Sequence, residues 1–370
     1  MVEDDTRLRA TVPTINFLLE KNCKIILMSH LGRPQKLLKK GKTPDELKKE
    51  LTLKPVADDL AEILGIDVSF VDDCIDVEIP EDKDIVLLEN LRFHPEEEKN
   101  DEKFAKKLTS LADIYVNDAF GACHREHASV HAITKFLPSC AGLLVEKEVD
   151  QLSKLLNPEK PFVALVAGAK ADKISALRVL ANKADRILVA GVLANTFLKA
   201  KGIDISSSKF DEETFNVAKE IIGLAGNKLK FPIDNVAADK FDNNAETQTA
   251  AVGKLPKEWM ALDIGPETIK NYKEELKNAK TVFWAGPLGV FEMEKFSKGT
   301  KEIGEFLATL NATVIAGGGD TSAAINVFNL TEKLTHVSTG GGASLEFIEK
   351  EGKLPGLVAL EQAYDRAKEE

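Results

Sequence analysis

Short apolar runs rich in β-branched residues alternate with amphipathic segments along most of the chain. The runs predict strands, and the segments between them, whose apolar residues recur at helical spacing, predict helices. Predicted strands cover Lys24 to Met28, Asp84 to Leu88, Ile114 to Val116, Phe162 to Val166, Arg186 to Val189, Val282 to Trp284, Thr313 to Ala316 and Val337 to Ser338. Predicted helices include Pro55 to Leu64, Glu102 to Ala112, Asp211 to Leu224 and Thr300 to Thr309. This alternation indicates an α/β fold with parallel sheets and helices on both sheet faces.

A proline-marked break indicates two domains. The stretch from Leu143 to Leu156 predicts one helix, and Asn157-Pro-Glu-Lys-Pro follows it before the strand at Phe162. With 370 residues the chain is longer than the ~250–300 residues of a usual single core. We therefore expect an N-terminal domain over residues 1–142, an interdomain helix and linker over 143–160, and a C-terminal domain over 161–345.

Composition and charge exclude several classes of protein. Hydrophobic residues make up 44% of the chain and charged residues 29%, as in ordinary globular proteins. The net charge of −11 argues against nucleic-acid binding, which needs a broad basic face. We expect no membrane partner, since no apolar segment is long enough to span a bilayer. We expect a cytoplasmic protein, since its cysteines show no disulfide spacing. The lysine-rich segment from Gln35 to Lys49 is expected to be a solvated loop.

The cysteines show no metal-site or disulfide spacing. They are scattered along the first half of the chain, at Cys23, Cys74, Cys123 and Cys140. Neither a zinc site nor a disulfide framework is indicated by this pattern.

Glycine clusters end three of the predicted strands in the last third of the chain. They begin at Gly286, Gly317 and Gly340, and each is expected to pass into a helix. Glycine lets the backbone approach a ligand closely, and a helix N-terminus offers unpaired N–H groups to an anion. Tight strand-to-helix turns alone would explain one or two such clusters. Three clusters with an Asp and hydroxyls attached favour a phosphate site.

The first half of the chain instead places cations and imidazoles after its predicted strands. These loops carry His30 and Arg33, then Arg92 and His94, then His124, Arg125 and His127. Arginine suits carboxylate and phosphate because its planar guanidinium can donate two parallel hydrogen bonds. A single Arg is more often a surface ion pair, but several at strand ends of one sheet favour a small anionic substrate. Metal binding by His124 and His127 is the weaker alternative, because further ligands are not apparent.

The residues at these positions resemble those of phosphoglycerate kinases over nearly the whole chain. The matching strings begin at Asp5 (DTRLRA), Ser29 (SHLGRP), Glu89 (ENLRF), Asn117 (NDAFG), Gly168 (GAK), Gly286 (GPLGVFE), Gly317 (GGGD) and Ser338 (STGGGASLE). Their order and spacing make the resemblance highly specific.

The resemblance implies two Rossmann-like three-layer αβα domains with parallel sheets, joined by a hinge helix. The N-terminal domain would bind 3-phosphoglycerate, the C-terminal domain would bind ADP or ATP with Mg²⁺, and a tail over residues 346–370 would pack on the N-terminal domain. It also implies transfer of the acyl phosphate of 1,3-bisphosphoglycerate to ADP, giving 3-phosphoglycerate and ATP. We expect a monomer that acts on these small molecules.

The resemblance also assigns roles to individual positions. Arg7 and Lys170 would be catalytic, with Arg7 stabilising the phosphoryl group in flight. Substrate would be bound by Arg7, His30, Arg33, Arg92 and Arg125. The nucleotide would contact Gly168, Lys170, Lys173, Pro287, Glu292, Gly318, Gly319, Asp320 and Thr321, and Asp320 would be associated with the metal ion.

Some positions depart from the family pattern. The family's opening strand, with its Asp-Phe-Asn motif, has no counterpart here. Either the N-terminal sheet is expected to lack one strand, or the true start of the protein lies upstream. Lys170 to Lys173 is one residue shorter than the family's stretch. Positions around the nucleotide that are usually glycine or asparagine carry larger or apolar side chains, namely Ala167, Ala190, Val192, Ala261 and Ala285. These departures motivate an alternative, a catalytically impaired relative that binds a ligand or a protein. A Rossmann dehydrogenase is disfavoured, because no glycine triad has the required spacing and following acid.

Overall fold

The computed structural model describes residues 4–168 and 173–369. The chain divides into two compact units. Unit 1 comprises residues 1–148 and 353–370, and unit 2 comprises residues 149–352. The boundary between them falls inside a helix, Leu143–Ser153.

Unit 1 alternates strands and helices. Its strands are β1 (Ile25–Leu27), β2 (Ser69–Val71), β3 (Ile85–Leu88), β4 (Tyr115–Asn117) and β5 (Ser139–Ala141). Its helices are α1 (Thr6–Glu20), α2 (Pro34–Leu38), α3 (Pro44–Leu51), α4 (Lys54–Leu64), α5 (Pro95–Glu98), α6 (Glu102–Thr109), the first part of α7 (Leu143–Ser153), and the C-terminal helix Pro355–Glu369. Short 3-10 helices cover Leu91–Phe93, Phe120–Ala122 and Ala132–Lys135.

Unit 1 has two parallel sheets. One has the strand order β1-β3-β2, and β4 pairs with β5 in the other. All four residues of the central strand β3 are buried. One apolar cluster packs α1 and α4 around Ile15 and Leu60, and another gathers around Phe104. Leu360 of the C-terminal helix belongs to the Phe104 cluster, so the end of the chain forms part of this core.

The lysine-rich segment of unit 1 is helical, and the expectation of a loop from Gln35 to Lys49 was wrong. It contains α2 and most of α3. Thr43 and Glu46 form a capping box at the start of α3, and Pro44 occupies the first helical position. Leu47 is the one buried residue of α3, and it anchors a helix whose other residues are mostly polar.

Unit 2 also alternates strands and helices. Its strands are β6 (Phe162–Val166), β7 (Arg186–Val189), β8 (Leu229–Lys230), β9 (Asp234–Ala238), β10 (Thr247–Ala251), β11 (Met260–Ile264), β12 (Thr281–Ala285), β13 (Thr313–Ala316) and β14 (His336–Val337). Its helices are α8 (Lys173–Lys183), α9 (Gly191–Ala200), α10 (Phe215–Ala225), α11 (Pro266–Leu276), α12 (Lys298–Leu307), α13 (Gly319–Val327) and α14 (Gly342–Glu349).

The main sheet of unit 2 has six parallel strands in the order β14-β13-β12-β6-β7-β8. Every residue of β6 and β12 is buried, as expected for central strands covered on both faces. Trp284 and Tyr272 are fully buried in the apolar core around these strands. The parallel α/β class predicted from the sequence is thereby confirmed.

A second sheet of unit 2 is antiparallel and was not predicted. It has the strand order β10-β9-β11. β10 is mostly exposed and carries Thr and Gln instead of a buried apolar run, so the sequence lacks the usual strand signal there. No helix of the described part of the chain is long and apolar enough to cross a membrane.

Candidate active site

Unit 1 gathers basic residues from loops that follow three of its strands. His30 lies in the loop after β1, and Arg33 immediately precedes α2. Arg92 lies in the 3-10 helix after β3, and Arg125 lies in the loop after β4. β1 and β3 belong to the same parallel sheet, so His30, Arg33 and Arg92 follow its carboxyl edge, where α/β proteins bind ligands. Arg125 follows β4 of the second sheet, so the expectation that all these residues lie at strand ends of one sheet was wrong.

The pKa values show that these residues lie close enough to repel each other's positive charge. Burial, together with the charges of Arg92, His127, Arg125 and Arg7, lowers the pKa of His30 to about 3. Burial and the charges of Arg92 and Arg125 likewise lower the pKa of His127 to about 4. Both imidazoles are therefore neutral at pH 7 in this cluster.

Arg92 is the most buried cation of the group. Burial lowers its pKa, and the charges of Arg125 and Arg33 act in the same direction. Arg7 is exposed on α1, and its charge reaches His30. The structure thus brings the predicted substrate residues Arg7, His30, Arg33, Arg92 and Arg125 into one electrostatic neighbourhood, which we call the basic cluster.

Only part of the Arg92 guanidinium makes hydrogen bonds within the described ranges. Its Nη1 donates to the carbonyl of Gly32 at 2.7 Å. Its Nε and Nη2 are buried and have no hydrogen-bond partner within the described ranges, the nearest carboxylate, of Glu98, lying 3.6 Å from Nε. Buried polar groups are normally satisfied, so these N–H groups suit an anionic ligand.

Asn90 holds two loops of the basic cluster together, and sequence reasoning did not single it out. Its side-chain nitrogen donates to the carbonyls of Leu31 and Leu51 at 2.8 and 2.9 Å, and its oxygen accepts from the amides of Leu31 and Arg92 at 3.2 and 3.1 Å. These bonds fix the loop bearing His30 against the turn bearing Arg92. A single Asn inside a family string gives no signal of this role.

Glu97 is a second residue that sequence reasoning missed. It is fully buried, although it stands in a run of three glutamates that is typical of a solvated surface. Its carboxylate accepts from the amide and hydroxyl of Ser129 at 3.0 and 2.6 Å, and burial raises its pKa. The contact positions the loop that carries His127.

The glycine clusters of unit 2 also lie at one sheet edge. Gly168 follows β6, Gly286 follows β12, Gly317 follows β13 and Gly340 lies after β14. Pairing continues past the strand ends, since the amide of Gly317 donates to the carbonyl of Trp284 at 2.9 Å. We call this group the glycine edge.

The turn from β13 into α13 has the geometry of an anion cradle. Gly318 has a φ of 102°, which side chains rarely adopt. Gly319 begins α13, and no described heavy atom lies within 4 Å of a Cβ built on it. Asp320 lies in the first turn of the helix and is half-buried. The space beside Gly319 in the first turn of α13 is therefore open, next to a carboxylate.

The Thr321 side chain stabilises the backbone of the turn from β13 into α13. It is fully buried, and its hydroxyl donates to the carbonyl of Gly317 at 2.8 Å and accepts from the amide of Gly286 at 2.7 Å. The hydroxyl joins two glycine clusters, so its contribution is to position the backbone.

The first glycine cluster does not lead directly into a helix, and that expectation was wrong. Residues after Gly286 form a turn, and the next α-helix, α12, begins at Lys298. Pro287 is buried at the start of this turn, and Glu292 is exposed at its end. The repeated glycines and Pro287 favour an extended loop over a helix.

Two lysines, Lys170 and Lys173, are predicted to contact the nucleotide. Lys170 falls outside the described residues. Lys173 begins α8, which follows Gly168 with its φ of 100°. Gly191 has a φ of 63°, and a Cβ there would lie 3.2 Å from the amide nitrogen of Gly168. The two loops therefore pack backbone to backbone.

A buried carboxylate lies near the glycine edge. Asp263 is 3% exposed and accepts from the amides of Gly299 and Ile264 at 2.8 and 2.9 Å. Burial raises its pKa to about 7. Asp263 and Ala261 line a cavity of about 10 Å³, so little free space remains on this side.

A larger cavity of unit 2 lies at the opposite end of the strands. Its volume is about 570 Å³, and its lining includes Lys160, Asp185, Arg186 and Glu275. These charges are already paired, with N–O distances of 3.2 Å for Lys160–Asp185 and 3.0 Å for Arg186–Glu275. The glycine edge is thus the better candidate for ligand binding.

Comparisons with known proteins agree on one family. The phosphoglycerate kinase family model matches residues 1–352. A phosphoglycerate kinase of Moorella thermoacetica is 49% identical, with 97% of this chain and 92% of that protein covered. The cytosolic phosphoglycerate kinase of Triticum aestivum is 48% identical, with 98% and 91% covered.

Solved structures agree with the sequence relatives. The phosphoglycerate kinase of Coxiella burnetii has a TM-score of 0.83 at 37% identity, covering 100% of this chain and 92% of that one. The enzyme of Pyrococcus horikoshii has a TM-score of 0.84 at 30% identity, covering 99% and 93%. Together with the basic cluster and the glycine edge, these matches show that the chain belongs to the phosphoglycerate kinase family.

Proposed function

We propose that the basic cluster of unit 1 binds 3-phosphoglycerate and that the glycine edge of unit 2 binds ADP or ATP. The chain is a phosphotransferase of the phosphoglycerate kinase type, which moves the acyl phosphate of 1,3-bisphosphoglycerate to ADP and forms 3-phosphoglycerate and ATP. We propose below which residues of unit 1 bind the substrate and which residues of unit 2 bind the nucleotide.

The single observation that carries the proposal is the crowding of cations in unit 1. Burial, and after it the charges of Arg92 and Arg125, lower the pKa values of His30 and His127, so the cluster is electrostatically unfavourable without a counter-charge. A bound phosphate would relieve this repulsion and accept the N–H groups that Arg92 leaves unsatisfied. We assign Arg92 and Arg125 to the phosphate that is not transferred, with His30 and Arg33 beside them.

The chemistry requires positioning and charge neutralisation more than proton transfer. The nucleophile is a phosphate oxygen that is already ionised, so no general base is needed. The barrier falls when donors and cations meet the charge on the phosphoryl oxygens. We assign this role to Arg7 from unit 1 and, from the sequence resemblance, to Lys170.

The glycine edge supplies backbone donors to the nucleotide. The first turn of α13, with Gly318 and Gly319, would donate hydrogen bonds to phosphate oxygens, because N–H groups and the positive end of the helix dipole meet there. We assign Thr321 to the support of this turn, Pro287 and Gly168 to neighbouring walls, and Lys173 and Glu292 to further nucleotide contacts.

The donor set near α13 fits Mg²⁺. This ion prefers oxygen ligands and usually combines one or two carboxylates with substrate phosphates. Asp320 places a carboxylate in the first turn of α13, next to the open space beside Gly319. When bound, the ion would neutralise charge on the phosphates.

We further propose that the two units close on the substrates and exclude water. We also propose that the protein acts in the cytoplasm as a monomer. A phosphoryl group in transfer is lost to hydrolysis if water reaches it, so domain closure is a reasonable requirement. The alternative of an impaired, purely ligand-binding relative is favoured by no observation among the described residues or the comparisons.

A coupled assay with ATP, Mg²⁺ and 3-phosphoglycerate tests the assignment. Arg7→Ala should lower kcat about 10²–10³-fold, because the substitution removes charge that stabilises the transition state. Lys170→Ala should also lose most turnover. The matched control is Arg9→Ala on the same helix, since Arg9 is exposed and paired with Asp5 at 2.7 Å. Equal activity of Arg7→Ala and Arg9→Ala would contradict the role of Arg7.

A further inference from the structure

Three side chains with metal-binding atoms meet in unit 1, outside the basic cluster. Asp73 and Cys74 lie in the turn after β2, and His94 immediately precedes α5. One ligand atom of each lies within 4.8 Å of those of the other two. The Nε2 atom of His94 is 2.7 Å from Oδ1 of Asp73. The sequence hides this meeting, because His94 is far along the chain from Cys74 and the usual paired spacing is absent.

We propose that Asp73, Cys74 and His94 form a binding site for a borderline-soft divalent cation such as Zn²⁺ or Co²⁺. Thiolate, imidazole and carboxylate are the ligands that Zn²⁺ takes in proteins, whereas Mg²⁺ prefers oxygen alone. The site is therefore chemically distinct from the oxygen-rich nucleotide site of unit 2. Three protein ligands leave the fourth tetrahedral position to water.

The geometry needs only a small adjustment. Metal–ligand distances of about 2.0–2.3 Å at tetrahedral angles place donor atoms roughly 3.3–3.8 Å apart. The ligand atoms of the present group all lie within 4.8 Å of one another, and the 2.7 Å distance between Asp73 and His94 is too short. The side chain of Asp73 is 49% exposed, so it has room to rotate. Rotation that lengthens its contact with His94 would also change the hydrogen bond that its Oδ1 accepts from the amide of Cys74.

Surrounding contacts hold the other two ligands in place. Cys74 is 1% exposed and belongs to the apolar cluster around Phe104. The ring of His94 packs against the ring of Phe104, with centroids 5.5 Å apart. The amide of Cys74 also donates to Oδ1 of Asp73 at 2.6 Å. The thiol and imidazole are thus preorganised on the protein side, and an ion would enter from the solvent side past Asp73.

Charge and proton balance are consistent with a divalent ion. An ordinary cysteine thiol is protonated at neutral pH, so the metal-free site holds a protonated thiol. Binding forms a metal–sulfur bond and breaks the S–H bond, and the proton leaves to solvent. The thiolate and the Asp73 carboxylate then carry two negative charges that balance the ion, which lowers the cost of placing it in a half-buried site.

Titration of the reduced full-length chain with Co²⁺ tests the proposal. One equivalent should produce a thiolate-to-Co²⁺ charge-transfer band in the near ultraviolet, together with visible bands of tetrahedral intensity. Zn²⁺ should displace these bands with one-to-one stoichiometry. Absence of the charge-transfer band at excess Co²⁺ overturns the proposal, as does a band that Zn²⁺ leaves unchanged.

Cysteine variants identify the sulfur. Cys74→Ser should abolish the charge-transfer band, while Cys140→Ser should retain it, because Cys140 is an exposed cysteine elsewhere in unit 1. A band that survives in Cys74→Ser, or disappears in Cys140→Ser, contradicts the assignment.

Asp73→Asn gives an independent test if Cys74→Ser fails to fold. Asp73 is half exposed, so this substitution should leave the fold intact while weakening Co²⁺ binding at least about tenfold. Unchanged Co²⁺ affinity of the folded Asp73→Asn variant would overturn the site.

Discussion

The two units of this chain prepare for anions in opposite ways. Unit 1 crowds positively charged side chains until burial and mutual repulsion lower the pKa values of His30, His127 and Arg92. Unit 2 presents main-chain N–H groups at glycine turns, where no side chain fills the space beside Gly319. Anion binding in unit 1 depends on basic side chains that are present, whereas in unit 2 it depends on side chains that are absent. Anion binding should therefore weaken when a basic side chain is removed from unit 1, and when a side chain is added to a glycine turn of unit 2.

The largest effect is expected from deleting a cation of unit 1. Arg125→Ala should weaken 3-phosphoglycerate binding about 10–100-fold, because a hydrogen bond between charged groups contributes ~1.5–3 kcal/mol. Isothermal titration with 3-phosphoglycerate measures this change. Arg178→Ala is the control, since Arg178 is an exposed cation of unit 2 paired with Glu220. If MgADP binding fell as much as 3-phosphoglycerate binding, the separation of roles would be wrong.

Adding one methyl group to the glycine edge should give the next largest effect. Gly319→Ala should weaken MgADP binding about tenfold, since overpacking in a close-fitting site costs ~1–3 kcal/mol. The melting temperature should stay the same, because the added Cβ meets no described atom within 4 Å.

The matched control for this addition is Gly223→Ala. Gly223 lies in α10 and is equally open within the described structure, yet it is remote in sequence from the glycine clusters. It should leave MgADP affinity unchanged. Equal MgADP affinity of Gly319→Ala and wild type would show that the turn does not approach the nucleotide.

The buried carboxylate of unit 2 predicts a stability change at neutral pH. The pKa of Asp263 is about 7 in the folded chain against 3.8 for the free group. Between these values the folded chain holds a proton that the unfolded chain releases, so stability is lost as pH rises toward 7. Asp263→Asn removes this dependence. The melting temperature of the variant relative to wild type should rise by a few degrees between pH 5 and pH 8. A constant difference over this range would contradict it.

The smallest effect is expected for His30 of unit 1, whose pKa is shifted in the opposite direction to that of Asp263. The pKa of His30 is about 3 in the folded chain against 6.5 for the free group. Below pH 6.5 the unfolded chain therefore takes up a proton that the folded chain rejects, and stability is lost as pH falls. His30→Gln should gain melting temperature relative to wild type at pH 5 but not at pH 8. The effect is expected to be modest because His30 is only half-buried.

Most of the fold could be predicted from the apolar periodicity. The predicted strands Phe162–Val166, Arg186–Val189 and Thr313–Ala316 coincide with β6, β7 and β13, because buried parallel strands are continuous apolar runs with clear ends. The antiparallel sheet was missed because β10 is polar and exposed. The helix Pro44–Leu51 was missed because its lysines mask the capping box and the single buried Leu47.

The site residues that stand in family sequence strings could be predicted from the sequence. Those that act through tertiary packing could not. The arginines and glycines stand in recognisable strings, and their roles remain predictions. Asn90, Glu97 and Asp263 act through contacts with residues distant in sequence or through burial, which one sequence does not display. The same reason hides the meeting of Asp73, Cys74 and His94.

Hydrogen exchange with each ligand alone tests the division of labour most directly. With 3-phosphoglycerate, protection should appear in peptides covering residues 29–34, 90–94 and 122–131 of unit 1. With MgADP, it should appear in peptides covering residues 286–292, 317–322 and 338–343 of unit 2. Protection of the glycine turns by 3-phosphoglycerate alone, or of the arginine loops by MgADP alone, would contradict the account.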